Sequence, residues 1–195
     1  MGNHIRETVI NVLHHKGKGG PEERGDLTGE HPLGDAGQFV LACLLIATWV
    51  ADTFFFEYTT FLNRYVPLAV RIPAAVALLF LSGYLAKAGL FIVFGEQRDK
   101  PTVIREGVFG VVRHPIYLSE ILFYLGLLIL SLSLAATGVW FAGIGFFYYI
   151  SRYEESLLLA RFGDEYKQYM KNVPMWIPRF WKSEKSGRES VKRHG

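Results

Sequence analysis

Apolar residues in this chain are bunched into blocks instead of recurring on one face of an amphipathic repeat, and the blocks set the architecture. Gln38–Leu62, Ile72–Phe94, Ile116–Ala135 and Gly138–Ile150 are each almost free of charge. The first three reach the roughly 20 residues a helix needs to cross a bilayer. The fourth is short on apolar residues alone, but its helix can run on through Ser151–Phe162 in a polar setting. The pattern predicts an all-α fold: an integral membrane helical bundle of about four transmembrane helices, with a C-terminal helical hairpin and a cytoplasmic tail. A chain of 195 residues is one domain by default. Its parts are a polar N-terminal segment (1–37), the first two membrane helices (38–94), a loop and hairpin region (95–181) and a flexible basic tail (182–195).

Lys and Arg positions orient the bundle. The segment between the second and third helices carries Arg98, Lys100, Arg105 and Arg113, and the C-terminal segment adds Lys167, Lys171, Arg179, Lys182 and further bases. A hairpin turning through Ser133–Gly138 puts both on one side, together with Lys16, Lys18 and Arg24 of the N-terminal segment. Arg64 and Arg71 fall on the other side, but the bias places both termini in the cytoplasm. The net charge of +3 suits a face beside anionic lipid and calls for no nucleic acid. The single cysteine, Cys43, lies in an apolar block and excludes an internal disulfide. No cleavable leader is expected, because the first 37 residues are polar, mixed in charge and followed by a block of spanning length.

Met1–Leu13 has the spacing of a short amphipathic helix at the membrane surface, with Ile5, Val9, Val12 and Leu13 on one side. His14–Gly37 reads as a flexible lead-in rich in Gly and charge. Its His14, His15 and His31 lack the Cys partners or i, i+4 spacing of a metal site and read as solvated loop residues. Asp52 and Glu57 are acids in the first block. Glu57 fits the outer interface, whereas Asp52 is deeper and implies either a site role or a structural contact with Lys87 or Tyr84 of the second helix. Pro67 and Pro73 bracket the start of that helix, and Gly83 and Gly89 would let another helix approach closely. Gly107 and Gly110 allow tight turns in the polar loop that follows.

Chemistry concentrates at both ends of the hairpin. Pro115 suits the first position of a helix, which puts His114 near the N-cap and Tyr117 in the first turn. Such a start offers free N–H groups and a positive dipole end to an anion, and Arg113 adds to that charge. Arg113 and His114 could equally be interfacial residues marking where a span begins. At the far end, Arg152 and Glu155 share a helix face, and Glu154 points about 100° away. They could form an ion pair on a solvated helix exit. The adjoining Phe146-Phe147-Tyr148-Tyr149 run makes the other reading available, since carboxylates with aromatics suit a cation such as a sulfonium.

In order, Gly107, Arg113-His114-Pro115-x-Tyr117, a hairpin, Arg152-x-Glu154-Glu155, Phe162-Gly163-x-Glu165-Tyr166-x-x-Tyr169 and Val173-Pro174 resemble the isoprenylcysteine carboxyl methyltransferase superfamily. That group also looks like the bacterial phospholipid N-methyltransferases, and sterol reductases have related folds. The resemblance covers residues 95–180 or so, the methyltransferase-like catalytic region. It implies a membrane enzyme that binds S-adenosylmethionine in a cytoplasm-facing pocket formed by the hairpin and the C-terminal segment. By motif position it implies cofactor-binding roles for Arg113, His114, Tyr117, Glu154 and Glu155, and catalytic roles for Arg152 and Glu155. Phe109 stands where related chains often have Tyr, Ser119 keeps the motif's small residue, and Glu120 is an extra acid without an assigned role.

The implied reaction is methyl transfer to a lipid-like or prenyl-like acceptor, in which membrane lipids surround the enzyme and the apolar tail enters between helices. A carboxylate acceptor would need orientation, for which Arg152 is suited. An amine must lose a proton first, with Glu154 or Glu155 as base. The sequence holds parts for both. An NADPH-dependent reductase of an apolar substrate and a non-catalytic membrane scaffold are the rival readings.

Overall fold

The computed structural model describes residues 34–95 and 102–178. The amphipathic stretch at Met1–Leu13, the three N-terminal histidines and the basic tail lie outside the described residues. The first helix, α1, spans Gly34–Val50 and widens into a π-helical turn over Ala51–Phe56. The sequence predicted an unbroken helix to Leu62. The chain instead leaves the helix at Glu57, whose φ of 53° is left-handed and whose N–H closes the last wide turn on the Asp52 carbonyl. Asp52 draws the chain back: its carboxylate accepts the Thr59 N–H at 3.1 Å and the Thr59 hydroxyl.

A single 3-10 turn, Phe61–Arg64, leads into α2, Leu68–Gly95. Pro73 lies inside α2 and does not mark its boundary. A 3-10 turn at Gly107–Gly110 precedes α3, Pro115–Ser131. The last two helices are α4, Leu134–Phe162, and α5, Asp164–Asn172. Among the described residues, Gly34–Phe56, α2 and α4 are long and apolar enough to cross a membrane, while α3 is a shorter apolar helix of 17 residues. As expected, α4 continues through Ser151–Phe162.

The hairpin turn is tighter and earlier than the predicted Ser133–Gly138. Leu132 adopts φ 49° and sends its N–H to the Leu128 carbonyl, ending α3. Ser133 then caps α4 by accepting the Ala136 N–H at 3.2 Å, and donates its own hydroxyl to Asp52 at 2.5 Å. Asp52 thus ties three segments at the turn end of the bundle. Lys87 and Tyr84, its expected partners, are exposed and lie some 16 residues or more along α2 from the turn end, about 25 Å away.

Small residues bring α2 and α3 together. A Cβ at Gly126 would meet the Leu79 side chain at 3.0 Å, and one at Gly89 would meet Ile116 at 2.9 Å. Ser82 donates to the Ser119 carbonyl at 2.8 Å across the same seam. Gly83, also expected to admit a helix, faces open space. Leu45, Ile121, Tyr124 and Phe147 join α1, α3 and α4 in one apolar core. Indole N–H groups pin the seams: Trp49 reaches the Leu127 carbonyl and Ser131 of α3, and Trp140 reaches the Ile121 carbonyl. The outer faces carry rings such as Phe80 and Phe91, as lipid contact requires.

Candidate active site

The site is assembled where α3 begins, at the end of the bundle away from the hairpin turn. Pro115 occupies the first helical position, and His114 precedes it. The two amides just ahead of α3 are already used. Arg113 N–H donates to the Pro174 carbonyl at 2.9 Å, and His114 N–H to the Met175 carbonyl at 3.3 Å. The segment after α5 is laid alongside the α3 entrance by these two bonds.

Arg113 was expected to face an anionic group; its guanidinium is committed within the protein. Nε and Nη2 each lie 2.7 Å from Glu155 Oε1, and Nη1 donates to the carbonyls of Met170 at 3.0 Å and Val173 at 2.5 Å. Glu155 is 1% exposed. Its second oxygen accepts from Arg152 at 3.1 Å, the predicted pair one turn apart on α4. The Arg152 side chain is 55% exposed, so it covers this buried carboxylate from the solvent side.

His114 lies between the two neighbouring acids. Its Nε2 is 3.4 Å from Glu155 Oε1, and its Nδ1 is 3.6 Å from Glu154 Oε2. The ring stacks on Tyr117 at a centroid distance of 5.7 Å, and Tyr117 stacks in turn on Phe147 at 5.5 Å. The Tyr117 hydroxyl donates to Glu154. Arg113, His114, Tyr117, Glu154 and Glu155, drawn from two helices and a loop, therefore form one connected cluster, with Arg152 at its edge.

A cavity of about 540 Å³ opens beside it. Arg113, His114, Tyr117 and Glu154 line it on the cluster side, while Leu90, Phe94, Ile104, Phe109 and Leu158 supply apolar wall. Glu155 and Arg152 are not among the lining residues. Beneath the cavity, α5 buries Tyr166 and Tyr169 with Val173. Tyr169 donates its hydroxyl to the Phe109 carbonyl at 2.7 Å, fixing the loop that bears Gly107 and Phe109. Burial pushes both phenols above their ordinary pKa, so they remain donors. Gly107 has φ 52°, and a Cβ there would meet Ile92 at 2.8 Å, which accounts for glycine at this turn.

The sequence missed the contribution of α1, whose Asp35 and Gln38 reach the cavity, and that of Arg161 on α4. Neither carries a motif; only the pairing of α1 with α4 brings them in. Glu120, conspicuous as an acid in an apolar helix, is also a lining residue.

Residues 73–165 match the phospholipid methyltransferase family. The chain is 26% identical over 149 residues to the protein-S-isoprenylcysteine O-methyltransferase of Schizosaccharomyces pombe, covering 71% of this chain and 57% of that protein. It is 33% identical over 88 residues to the Xenopus laevis protein of the same name, covering 45% of this chain and 31% of that one. The solved structure of the eukaryotic intramembrane Ras methyltransferase, isoprenylcysteine carboxyl methyltransferase, superposes with a TM-score of 0.52 at 22% identity, over 73% of this chain and 52% of that chain. The chain thus spans at most 57% of the length of these curated relatives. The fold is that of an all-helical integral membrane protein, shared with this solved structure. In sequence the chain is similar to the phospholipid methyltransferases over residues 73–165 and to the isoprenylcysteine O-methyltransferases over a longer stretch.

Proposed function

We propose that this protein is a membrane-embedded, S-adenosylmethionine-dependent methyltransferase acting on a lipid-like or prenyl-like acceptor. The observation that carries the reading is the cavity beside the His114–Tyr117–Glu154 cluster, polar on one wall and apolar on the other. Its volume is within the range of sites for small molecules and cofactors. The donor set fits a sulfonium cofactor: the Glu154 carboxylate and the Tyr117 and Phe109 rings suit a cation, and His114 offers a ring nitrogen. When bound, that cofactor supplies an electrophilic methyl group.

The protein's own residues then position and exclude water. Glu155, gripped by Arg113 and flanked by His114, fixes the face that His114 turns toward the cavity. Arg152 and Glu155 therefore act as positioning residues, and His114, Tyr117 and Glu154 as the cofactor-binding ones. The apolar wall keeps water from the reacting atoms, and an in-line displacement depends above all on such orientation. The bias of Lys and Arg toward this end of the bundle supports its facing the cytoplasm, where the cofactor would enter, with both termini on that side. None of the relatives described above is a reductase or a scaffold by name.

The test is calorimetric binding of S-adenosylmethionine and of NADPH to the detergent-purified protein, beside His114→Ala. Saturable binding of the sulfonium cofactor, lost in the variant, is expected. Binding of NADPH alone, or undiminished binding by His114→Ala, overturns the reading.

A further inference from the structure

The connection between α1 and α2, residues 57–67, and the wide turn before it are built inside out for a loop in water. Six rings point away from the protein: Phe54, Phe55, Phe56, Tyr58, Phe61 and Tyr65 are each between 50% and 81% exposed. The polar side chains at this end of the bundle turn inward instead. Asp52, Thr60 and Arg71 are buried, as is Ser133 of the neighbouring turn.

Hydrogen bonds hold the inversion in place. Besides its bonds to Asp52, Thr59 accepts the Leu134 N–H at its carbonyl (3.3 Å) and the Ala135 N–H at its hydroxyl (3.0 Å). Arg71 donates to the Asn63 side chain and to the Leu130 carbonyl at 2.5 Å. The connection is thereby fastened to the α3–α4 turn at two points, and its rings are held outward. So large an apolar patch marks a surface that something covers. Two features identify the cover as lipid. The patch continues the apolar faces of Gly34–Phe56 and α2, the two candidate spans that meet at it. Phe54, Phe55 and Phe56 follow one another in the wide turn, so they fan out around it and present no single flat face to a folded partner.

We infer that the α1–α2 connection is an interfacial anchor, seated at the head-group boundary of the bilayer on the side opposite the cavity. Rings there put their apolar bodies among the acyl chains, and Tyr58 and Tyr65 keep their hydroxyls at head-group level. Glu57 and Arg64, the exposed charges of the connection, reach water from the same depth. Irregular backbone is tolerated at that boundary but not against lipid within the hydrocarbon. An anchor at one end of the bundle fixes how deep the cavity at the other end lies, whatever reaction proceeds in it.

Spin labels read the depth. Cys43→Ala removes the single native cysteine. Phe55→Cys, Tyr58→Cys and Tyr65→Cys then each carry one nitroxide on the full chain in nanodiscs, with Lys167→Cys on α5 as the aqueous reference. Collisions with oxygen, which concentrates in lipid, and with a water-soluble nickel chelate are measured at each label. At the three ring positions the ratio of oxygen to nickel collisions is expected to exceed that at Lys167 several-fold. A ratio equal to that at Lys167 overturns the inference, and so does protection from both reagents, which would mean that protein covers the rings. If the variants fail to fold, wild type is footprinted with a lipid-dissolved and a water-soluble diazirine. Modification of residues 54–65 from the lipid phase upholds the anchor; modification from water alone, or from neither phase, overturns it.

Discussion

Arg113 and Glu155, separated by 42 positions in sequence, meet with two guanidinium nitrogens each 2.7 Å from one carboxylate oxygen. Both side chains are nearly excluded from solvent, at 9% and 2% exposure. The pair joins the α3 entrance to the last turns of α4, and through Arg113 it also holds the Met170 and Val173 carbonyls. Breaking such a pair from one side leaves a buried charge uncompensated. Arg113→Ala should therefore cost about 3–5 kcal/mol of stability. The double variant Arg113→Met/Glu155→Leu should recover most of that loss while leaving turnover abolished. Thermal unfolding in detergent and a methyl-transfer assay separate the two effects, and a double variant as unstable as the single one would contradict this account.

Tyr117 links the aromatic stack to Glu154. Tyr117→Phe retains the rings but removes the donor, which is worth about 1.5–3 kcal/mol where the acceptor is charged. Cofactor affinity should fall roughly tenfold or more, and the unfolding midpoint should drop by a few degrees. Unaltered affinity would remove the hydroxyl from the binding site.

At the opposite end, Asp52 accepts from Thr59 and Ser133. Asp52→Ala strands these donors and should lower stability by about 1–3 kcal/mol, and Ser133→Ala by about 1 kcal/mol. Cofactor affinity should not change, because neither residue lines the cavity. A double-mutant cycle should show the two losses to be coupled.

Gly126 is closed in by Leu79 and by the Ala75 carbonyl, the latter 3.4 Å from where a Cβ would lie. Gly126→Leu should cost about 1–3 kcal/mol through overpacking of the α2–α3 seam. Gly83→Leu, facing open space, should be nearly neutral by the same unfolding measurement.

Tyr169 holds the Phe109 loop as a protonated phenol, and burial raises its native pKa above the ordinary value of 10.0. A raised native pKa means that this contribution is fully present below pH 10.0 and is lost only as pH climbs through the native value. The difference in stability between wild type and Tyr169→Phe should accordingly stay constant through neutral and mildly alkaline pH. Phenolate absorbance should show a late-titrating tyrosine that the variant lacks.

Much of this was legible in the chain. Charge-free blocks give helices because hydrocarbon leaves the backbone no other partner, and His114-Pro115 marks a helix start through the ring's fixed geometry. The meeting of His114 and Tyr117 with Glu154 and Glu155 followed from motif order. The break at Phe56 was hidden because a run of Phe gives no sign of stopping; the cause is a carboxylate reaching Thr59, three residues past that break. The turn at Leu132 was hidden because leucine does not advertise a left-handed backbone. Arg113 could be seen to matter, but whether it faced a ligand or Glu155 depended on how the chain after α5 returned.

The shortness of α3 has a further consequence. At 17 residues it is about 26 Å long, below the roughly 30 Å thickness of a bilayer's hydrocarbon layer. Local thinning of the bilayer beside α3 would accommodate the difference and bring head groups toward the Tyr117–Glu120 face. The proposed methyl transfer should then depend on acyl-chain length: fastest in membranes of short-chain lipid, slower in thick ones.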